Sequence, residues 1–185
     1  MPKKRNASAS PATLKPFDQD DRSLVRVIIE TPKGCRNKYK FDPKIACFKL
    51  SKVLPEGMVF PYDFGFIPET EAEDGDPIDV LLLMDQPAFP GCVIESRLIG
   101  VIEAEQSEDG KSERNDRLIA VADENHTYSD LQNLGEMNKK LLDEIGQFFV
   151  NYHRIDGSRF KVLGTRGPKQ AYRLLKKAAR KKKAA

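Results

Sequence analysis

The sequence of 185 residues predicts a single α+β domain, from the order in which two kinds of pattern appear. Segments rich in β-branched residues, separated by Gly, Pro and charged turns, occupy the chain as far as residue 122. Apolar residues at helical spacing begin only after Ser129. Strands first and helices afterwards are typical of α+β proteins, and strands at this spacing favour a closed barrel or a sandwich over a parallel sheet.

Six segments before residue 123 have the composition of strands. The first, residues 24–30, alternates apolar and polar side chains and places Glu30 at its end. The other predicted strands are residues 39–41, 47–53, 78–84, 93–103 and 117–122.

The second half of the chain predicts helices around one further strand. Ser129 is expected to cap a short helix that ends at Leu134. A last strand, residues 159–163, precedes Pro168, which suits the first turn of a terminal helix. Between them, one apolar stripe predicts a helix that covers the strands, and it comprises Met137, Leu141, Leu142, Ile145, Phe148, Phe149 and Tyr152.

Charge is distributed unevenly along the chain. Residues 1–16 carry four basic and no acidic side chains, and residues 169–185 carry eight basic and none acidic, so a total of +3 leaves −9 for residues 17–168. An acidic body argues against nucleic-acid binding except through the basic ends. We expect a disordered basic tail over residues 1–16, one domain over residues 17–175, and a basic helix end or tail over residues 176–185.

The sequence also predicts a soluble, cytoplasmic protein without a membrane partner. No apolar run has the length of a membrane span, and the first residues lack the hydrophobic centre of a secretory signal. Cys35, Cys47 and Cys92 lack the CxxC spacing of a zinc or redox site, which favours free thiols in a reducing compartment.

Residues 74–79 concentrate acidic side chains before a predicted strand. Asp74, Asp76 and Asp79 are three carboxylates within six residues, and further acidic residues lie at 69–73. Such carboxylates repel one another by roughly several kcal/mol unless a cation lies between them, which favours a hard divalent metal such as Mg²⁺. The alternative is an ordinary Asp/Gly/Pro turn. Metal held by carboxylates is typical of phosphoryl transfer to water.

The run Asp-Gly-Asp-Pro-Ile-Asp-Val at 74–80 resembles the signature of the soluble family I inorganic pyrophosphatases. The resemblance covers roughly residues 24–165 and implies a five-stranded, OB-like closed β-barrel flanked by helices. It also implies Mg²⁺-dependent hydrolysis of pyrophosphate to two phosphates by a homo-oligomer. Its further motifs are VIIETP at 27–32, NKY at 37–39, FPYDFGFIP at 60–68, FPGCV at 89–93 and FFVNY at 148–152.

The resemblance assigns roles to individual residues. Asp74, Asp76 and Asp79 would hold metal, with Asp76 accepting the proton of the nucleophilic water and Asp79 bridging metals. Glu30 would act through metal-bound water. Substrate binding falls to Lys38 and Tyr152.

A second acidic segment, residues 103–116, matches the family less closely, because the spacing of its acidic residues is altered. Asp116 is the best candidate for a further metal ligand, with Arg117 in the family's basic role. Glu105, Glu108 and Asp109 compete for the other ligand position, and for Glu108 and Asp109 a solvated hairpin is the preferred interpretation.

Several residues depart from the family pattern, and each lost hydrogen bond to a charged oxygen costs about 1.5–3 kcal/mol. They leave two alternatives open: a hydrolase of another phosphoanhydride with the same metal cluster, and an inactive OB-like module that binds through basic tails. The departures are Lys40 in place of a glutamate, Lys52 in place of an arginine that contacts phosphate, Phe60 and Phe64 in place of tyrosines, and His153 in place of a lysine.

Overall fold

A computed structural model describes residues 10–184 of the chain, except for the side chains of residues 180, 181, 183 and 184. Within this part it contains nine strands and two α-helices. The strands are β1 (Val25–Thr31), β2 (Asn37–Asp42), β3 (Cys47–Val53), β4 (Asp63–Phe66), β5 (Asp79–Leu83), β6 (Val93–Glu108), β7 (Lys111–Arg114), β8 (Arg117–Ala122) and β9 (Arg159–Arg166), and the helices are α1 (Lys139–Ile155) and α2 (Pro168–Ala184).

The main sheet is mixed, and its strands run in the order β1-β4-β5-β8-β6-β7. Strand β5 pairs in parallel with β8, while the other pairings in this sheet are antiparallel. Strand β6 pairs in addition with β1 and β9, and β2 with β3 forms a separate hairpin. The architecture is therefore α+β, as the order of the sequence patterns indicates. The closed five-stranded barrel stays a prediction.

All six predicted early strands overlap a strand of the structure, and residues 47–53 and 117–122 coincide with β3 and β8. Two short strands escaped prediction. Pro61 and Gly65 interrupt the apolar pattern around β4, and β7 consists of charged and polar residues that are mostly exposed.

The predicted short helix after Ser129 is wrong. Residues 127–130 form a turn instead, and a 3₁₀ turn follows at Leu134–Glu136. Asn133 caps this turn by accepting the N–H of Gly135, and the Glu136 side chain accepts the N–H of Asn133 in return. This reciprocal capping box satisfies the backbone there, so the helical pattern begins only with α1, which Asn138 caps.

The core has two main clusters, one on each face of the sheet. In β5, Leu81 and Leu83 pack towards α1, while Val80 and Leu82 pack towards α2. A strand buried on both faces explains the continuous apolar run that follows Asp79. The apolar stripe of α1 supplies Ile145, Phe149 and Tyr152 to the first cluster, and α2 supplies Ala171, Leu175 and Ala178 to the second.

The described ends of the chain form a short turn and a helix outside the named strands. Residues 1–9 of the predicted tail lie outside the described residues, while Pro11–Thr13 form a 3₁₀ turn and Phe17 bridges to Val25. Helix α2 begins at Pro168, as the sequence predicts, and continues through the basic end to Ala184. Neither of the described helices is both long and apolar enough to cross a membrane.

Candidate active site

The acidic loop lies between β4 and β5 and carries Asp74 and Asp76. Its two ends are joined by hydrogen bonds of Thr70, a residue that is only 2% exposed. Its hydroxyl donates to the carbonyl of Ile67 at 2.6 Å and accepts the N–H of Ile78 at 3.0 Å. Ile67 N–H also donates to the carbonyl of Ile78 at 3.1 Å. The two ends of the loop are thereby joined, and the segment between them carries Asp74 and Asp76 to the rim at which β5 begins.

This rim opens into a polar pocket of about 550 Å³. The pocket brings together side chains from the acidic loop, the β2–β3 hairpin, β8 and the end of α1. Its lining includes seven of the nine predicted site residues, namely Asp74, Asp76, Asp79, Lys38, Lys52, Arg117 and Tyr152.

Tyr152 lies between two ammonium groups. Lys38 Nζ donates to Tyr152 Oη at 2.9 Å, and Lys52 Nζ lies 5.0 Å from the centre of its ring. Lys52 also pairs with Asp156; partial burial alone would lower the pKa of Lys52, but the hydrogen bond to this carboxylate raises it. The wall of the pocket therefore presents a phenol and two cations, a combination suited to anionic oxygens.

Two of the three carboxylates are paired with cations of the protein. Lys40 Nζ lies 2.7 Å from Asp76 Oδ2, and Arg117 Nη1 lies 2.7 Å from Asp79 Oδ2. Partial burial alone would lower the pKa of Lys40, but its hydrogen bond to Asp76 raises it. Arg117 is 4% exposed and lies over the ring of Phe149 at 5.3 Å.

The pKa values of Asp74 and Glu30 are both raised, mainly by burial and further by the charge of Asp79. Partial burial raises the pKa of Asp74, and the charges of Asp79 and Asp76 add to this effect. Glu30, at the end of β1, is 6% exposed; burial raises its pKa to about 7, against the N–H of Phe41, which its side chain accepts at 2.7 Å. A cation at this rim would relieve the cost of concentrating these charges.

The structure does not bring Asp116 to this pocket, although the sequence analysis chose it as the further metal ligand. Asp116 Oδ1 accepts from Arg114 Nη2 at 2.7 Å and from the N–H of Ala104 at 3.0 Å. Asn115 lines the pocket in its place, on the same side as Arg117, to which its side-chain oxygen is hydrogen bonded. Successive side chains of an extended segment face opposite ways, which places residues 115 and 117 together and residue 116 apart.

The segment 103–116 contributes two carboxylates to the pocket that the sequence did not favour as ligands. Glu108 at the end of β6 and Glu113 in β7 line the pocket, whereas Glu105 and Asp109 do not. For Glu108 the sequence favours a solvated hairpin, and no motif distinguishes Glu113 or Asn115. The period-two pattern of the β6–β7 hairpin was the signal that could have identified them.

His153 does not replace a lysine as a positive charge. Its ring stacks on Phe160 with centroids 4.7 Å apart, and its Nδ1 lies 3.1 Å from Ser158 Oγ. Burial lowers the pKa of His153 to about 3, and the charges of Arg117, Lys38 and Lys52 add to this, against the attraction of Asp156. The imidazole is therefore neutral at physiological pH.

The two phenylalanines at tyrosine positions form the interior wall of the pocket. Phe60 and Phe64 are 1% and 3% exposed and pack on each other and on the α1 aromatics. Arg36 and Tyr62, which lie close enough in sequence to compensate for lost donors, do not line the pocket. The guanidinium of Arg36 instead donates to the carbonyl of Leu54 at 3.1 Å and pairs with Glu56.

The donor set at the rim suits a hard cation, because it consists of carboxylates whose charges are only partly balanced. Among residues 10–184, no group of three or more His, Cys, Asp or Glu side chains is arranged to hold a metal ion. In this arrangement the carboxylates of Asp76 and Asp79 are paired with Lys40 and Arg117.

Comparison with known proteins connects this pocket to one family. The model of the family described as inorganic pyrophosphatase matches residues 27–183. The chain is 40% identical over 146 residues to the inorganic pyrophosphatase of Synechocystis sp., covering 79% of this chain and 84% of that protein. It is 37% identical over 165 residues to the one from Thermus thermophilus, covering 86% and 92%.

Solved structures agree with the sequence relatives. The inorganic pyrophosphatase of Thermus thermophilus superposes with a TM-score of 0.86 at 35% identity, covering 95% of this chain and 99% of that chain. The inorganic phosphatase of Anaplasma phagocytophilum superposes with a TM-score of 0.82 at 30% identity, covering 90% and 97%.

Proposed function

The chain belongs to the inorganic pyrophosphatase family and is a hydrolase, and on this premise we propose that it hydrolyses pyrophosphate to two phosphates with Mg²⁺ as its metal. One observation carries the proposal: a single polar pocket sets Asp74, Asp76 and Asp79 against Lys38 and Lys52. Carboxylates for a metal and cations for phosphate oxygens are the two halves of a phosphoryl-transfer site.

Asp74, Asp76 and Asp79 would hold the metal, with Glu30 behind them and with Asp116 retained only as an outer candidate. Bound there, Mg²⁺ would neutralise phosphate charge and make water more acidic. Magnesium is preferred among cations with oxygen ligands because it is far more available than manganese. The raised pKa values of Asp74 and Glu30 support this assignment, since a neighbouring cation favours their ionised forms.

Asp76 is proposed as the proton acceptor for the attacking water. Its side chain is 57% exposed, so water reaches it freely, and a carboxylate within reach of that water is positioned to take up its proton. The proton then leaves through solvent at the open side of the pocket.

Lys38, Tyr152, Lys52 and Arg117 are proposed to bind the two phosphoryl groups. Lys38 and Tyr152 are already hydrogen bonded to each other, so one anionic oxygen placed between them would contact both groups. Lys52 supplies a point charge at the same ring. Arg117 is held in place by Asp79 and by the aromatic rings beneath it, so its charge is fixed before substrate binds.

A second candidate substrate class is another phosphoanhydride, and the walls of the pocket favour it. Phe60 and Phe64 offer no hydroxyl groups, and Asn115 offers an amide, so the lining presents a different set of polar groups from the family pattern. The third candidate, an inactive binding module, lacks comparable support, because Asp74, Asp76 and Asp79 all line the pocket.

Several broader expectations belong to the same proposal. We propose that β1, β4, β5, β8 and β6 close into an OB-like barrel, supported by the pairing of β1 with both β4 and β6. We further propose a cytoplasmic homo-oligomer without a membrane partner, with one domain over residues 17–175 between basic ends.

The test is a substrate panel at fixed Mg²⁺, with phosphate release measured from pyrophosphate, tripolyphosphate and a nucleoside triphosphate. The proposal predicts that pyrophosphate gives the highest kcat/KM and that a chelator stops release. A higher kcat/KM for another phosphoanhydride would transfer the assignment to the second candidate. Release that a chelator leaves unchanged would contradict the metal assignment.

A further inference from the structure

Helix α2 buries one face in the core and presents a basic face to solvent. Ala171, Leu175 and Ala178 pack into the second core cluster. Lys169, Arg173 and Lys176 follow one another at helical spacing i, i+4 and i+7, and all three side chains are exposed. They lie along a single stripe of the helix, which we name the basic stripe.

The cations of the basic stripe make no ion pair in the described structure, whereas the neighbouring Lys177 pairs with Glu73 at 3.2 Å. Lys176 also lines a groove with the exposed Lys15 and Arg22. The same groove contains two acidic residues, Glu69 and Asp18, of which Asp18 is paired with Arg26. Exposed cations that make no ion pair can bind phosphate without first breaking one.

The surroundings of the basic stripe favour one kind of partner. Among the described side chains, no large apolar residue is exposed on α2 or in residues 10–24. A protein partner needs an apolar centre in its interface, and an anionic membrane binds a helix most strongly through apolar side chains that enter the acyl region. Nucleic acid needs neither, because its backbone is bound by charge alone.

Charge along the chain limits where such a partner can lie. Residues 169–185 carry eight basic and no acidic side chains, and a polyanion is repelled by a body of net charge −9 over residues 17–168. The 17 residues of α2 extend about 25 Å at 1.5 Å per residue. A duplex presents one charge per 1.7 Å, so this length matches many phosphates.

We propose that the basic stripe, with Lys15 and Arg22 beside it, docks the protein on nucleic acid through the sugar-phosphate backbone, without sequence selectivity. The stripe shares no residue with the catalytic pocket, so docking and hydrolysis are separate properties of the chain.

The experiment measures fluorescence anisotropy of a labelled 20-base-pair duplex with the full chain over a range of salt concentrations. We expect log Kd to depend linearly on log salt, and the variant Lys169→Gln/Arg173→Gln/Lys176→Gln to reduce that slope by about 3, at 0.9 per phosphate contact. A matched variant, Lys139→Gln/Lys140→Gln/Lys161→Gln, removes three exposed cations elsewhere and should leave the slope unchanged. Phosphate release should be the same in both variants, which shows that both are folded.

Three results would overturn the proposal. The first is no binding by the native chain at low salt. The second is an equal loss of slope in both variants, which would mean that total charge alone decides binding. The third is binding of vesicles rich in anionic lipid, lost in the stripe variant, without any binding of duplex.

Discussion

Lys40 is the departure from the family pattern whose effect can be worked out most directly. Its ammonium lies 2.7 Å from Asp76 Oδ2, where a metal cation would also be attracted. A divalent ion that binds Asp76 must displace Lys40 or accept its repulsion. We therefore predict that Lys40→Met binds Mg²⁺ more tightly than the native chain does.

The size of this effect follows from the charges and their exposure. The side chains of Lys40 and Asp76 are 47% and 57% exposed, so the dielectric of water is the appropriate one. Two unit charges about 4 Å apart then interact by about 1 kcal/mol, and a divalent ion doubles this to about 2 kcal/mol. Removing the charge of Lys40 should lower the Kd for Mg²⁺ by about 5- to 30-fold.

Isothermal titration of the metal-free protein with Mg²⁺ measures this Kd without reference to turnover. Lys49→Met is the matched control, because Lys49 makes an ion pair of the same length, 2.7 Å, with Asp42 on the β2–β3 hairpin. The reasoning is refuted if Lys40→Met and Lys49→Met both stay within twofold of the native Kd.

Three further predictions concern Tyr152, Arg117 and His153, which all line the pocket. Tyr152→Phe removes the hydroxyl that Lys38 contacts at 2.9 Å, and kcat/KM should fall about 10- to 150-fold, the equivalent of 1.5–3 kcal/mol; a loss below threefold would exclude a role in substrate binding. Arg117→Met leaves the carboxylate of Asp79 without its cation, so the free energy of unfolding in urea should fall. The expected loss is about 3 kcal/mol, the low end for a buried ion pair, because Asp79 is partly exposed. An unchanged free energy of unfolding would show that the pair is not formed. His153 has a pKa of about 3 in the folded protein, below its ordinary value, so the unfolded chain binds more protons between about pH 3 and 6.5. The free energy of unfolding should therefore fall by up to about 1.4 kcal/mol per pH unit as the pH drops through this window. His153→Phe should flatten this dependence in urea unfolding, and a profile identical to that of the native chain would contradict the depressed pKa.

The parts of the fold that sequence analysis predicted are those with strong local patterns. Strand β8 and the stripe of α1 have unbroken apolar patterns, and Pro168 marks the start of α2 without ambiguity. Strand β4 was not predicted, because Pro61 and Gly65 interrupt the apolar pattern around it. In the folded protein all four of its residues are buried. Its existence depends on pairing with β1 and β5, which no local pattern contains.

In the candidate site, too, features that depend on local sequence were predicted, and those that depend on contacts between distant residues were not. The density of carboxylates at Asp74–Asp79 is local, and it identified the acidic rim from sequence alone. The choice of Asp116 over Asn115 depended on which side of an extended segment faces the pocket, and the irregular spacing of the loop concealed this. The pairing of Lys40 with Asp76 joins residues 36 positions apart, so only the assembled fold reveals it.

The central claim is that the carboxylate pocket performs metal-dependent hydrolysis, and Asp76 tests it most directly. The measurement is phosphate release from pyrophosphate with and without Mg²⁺ by the native chain, by Asp76→Asn and by Asp130→Asn, an equivalent change at an exposed turn. We predict Mg²⁺-dependent release by the native chain and Asp130→Asn, and loss of release in folded Asp76→Asn. Equal release from all three proteins, or none from the folded native chain, would contradict the proposed function.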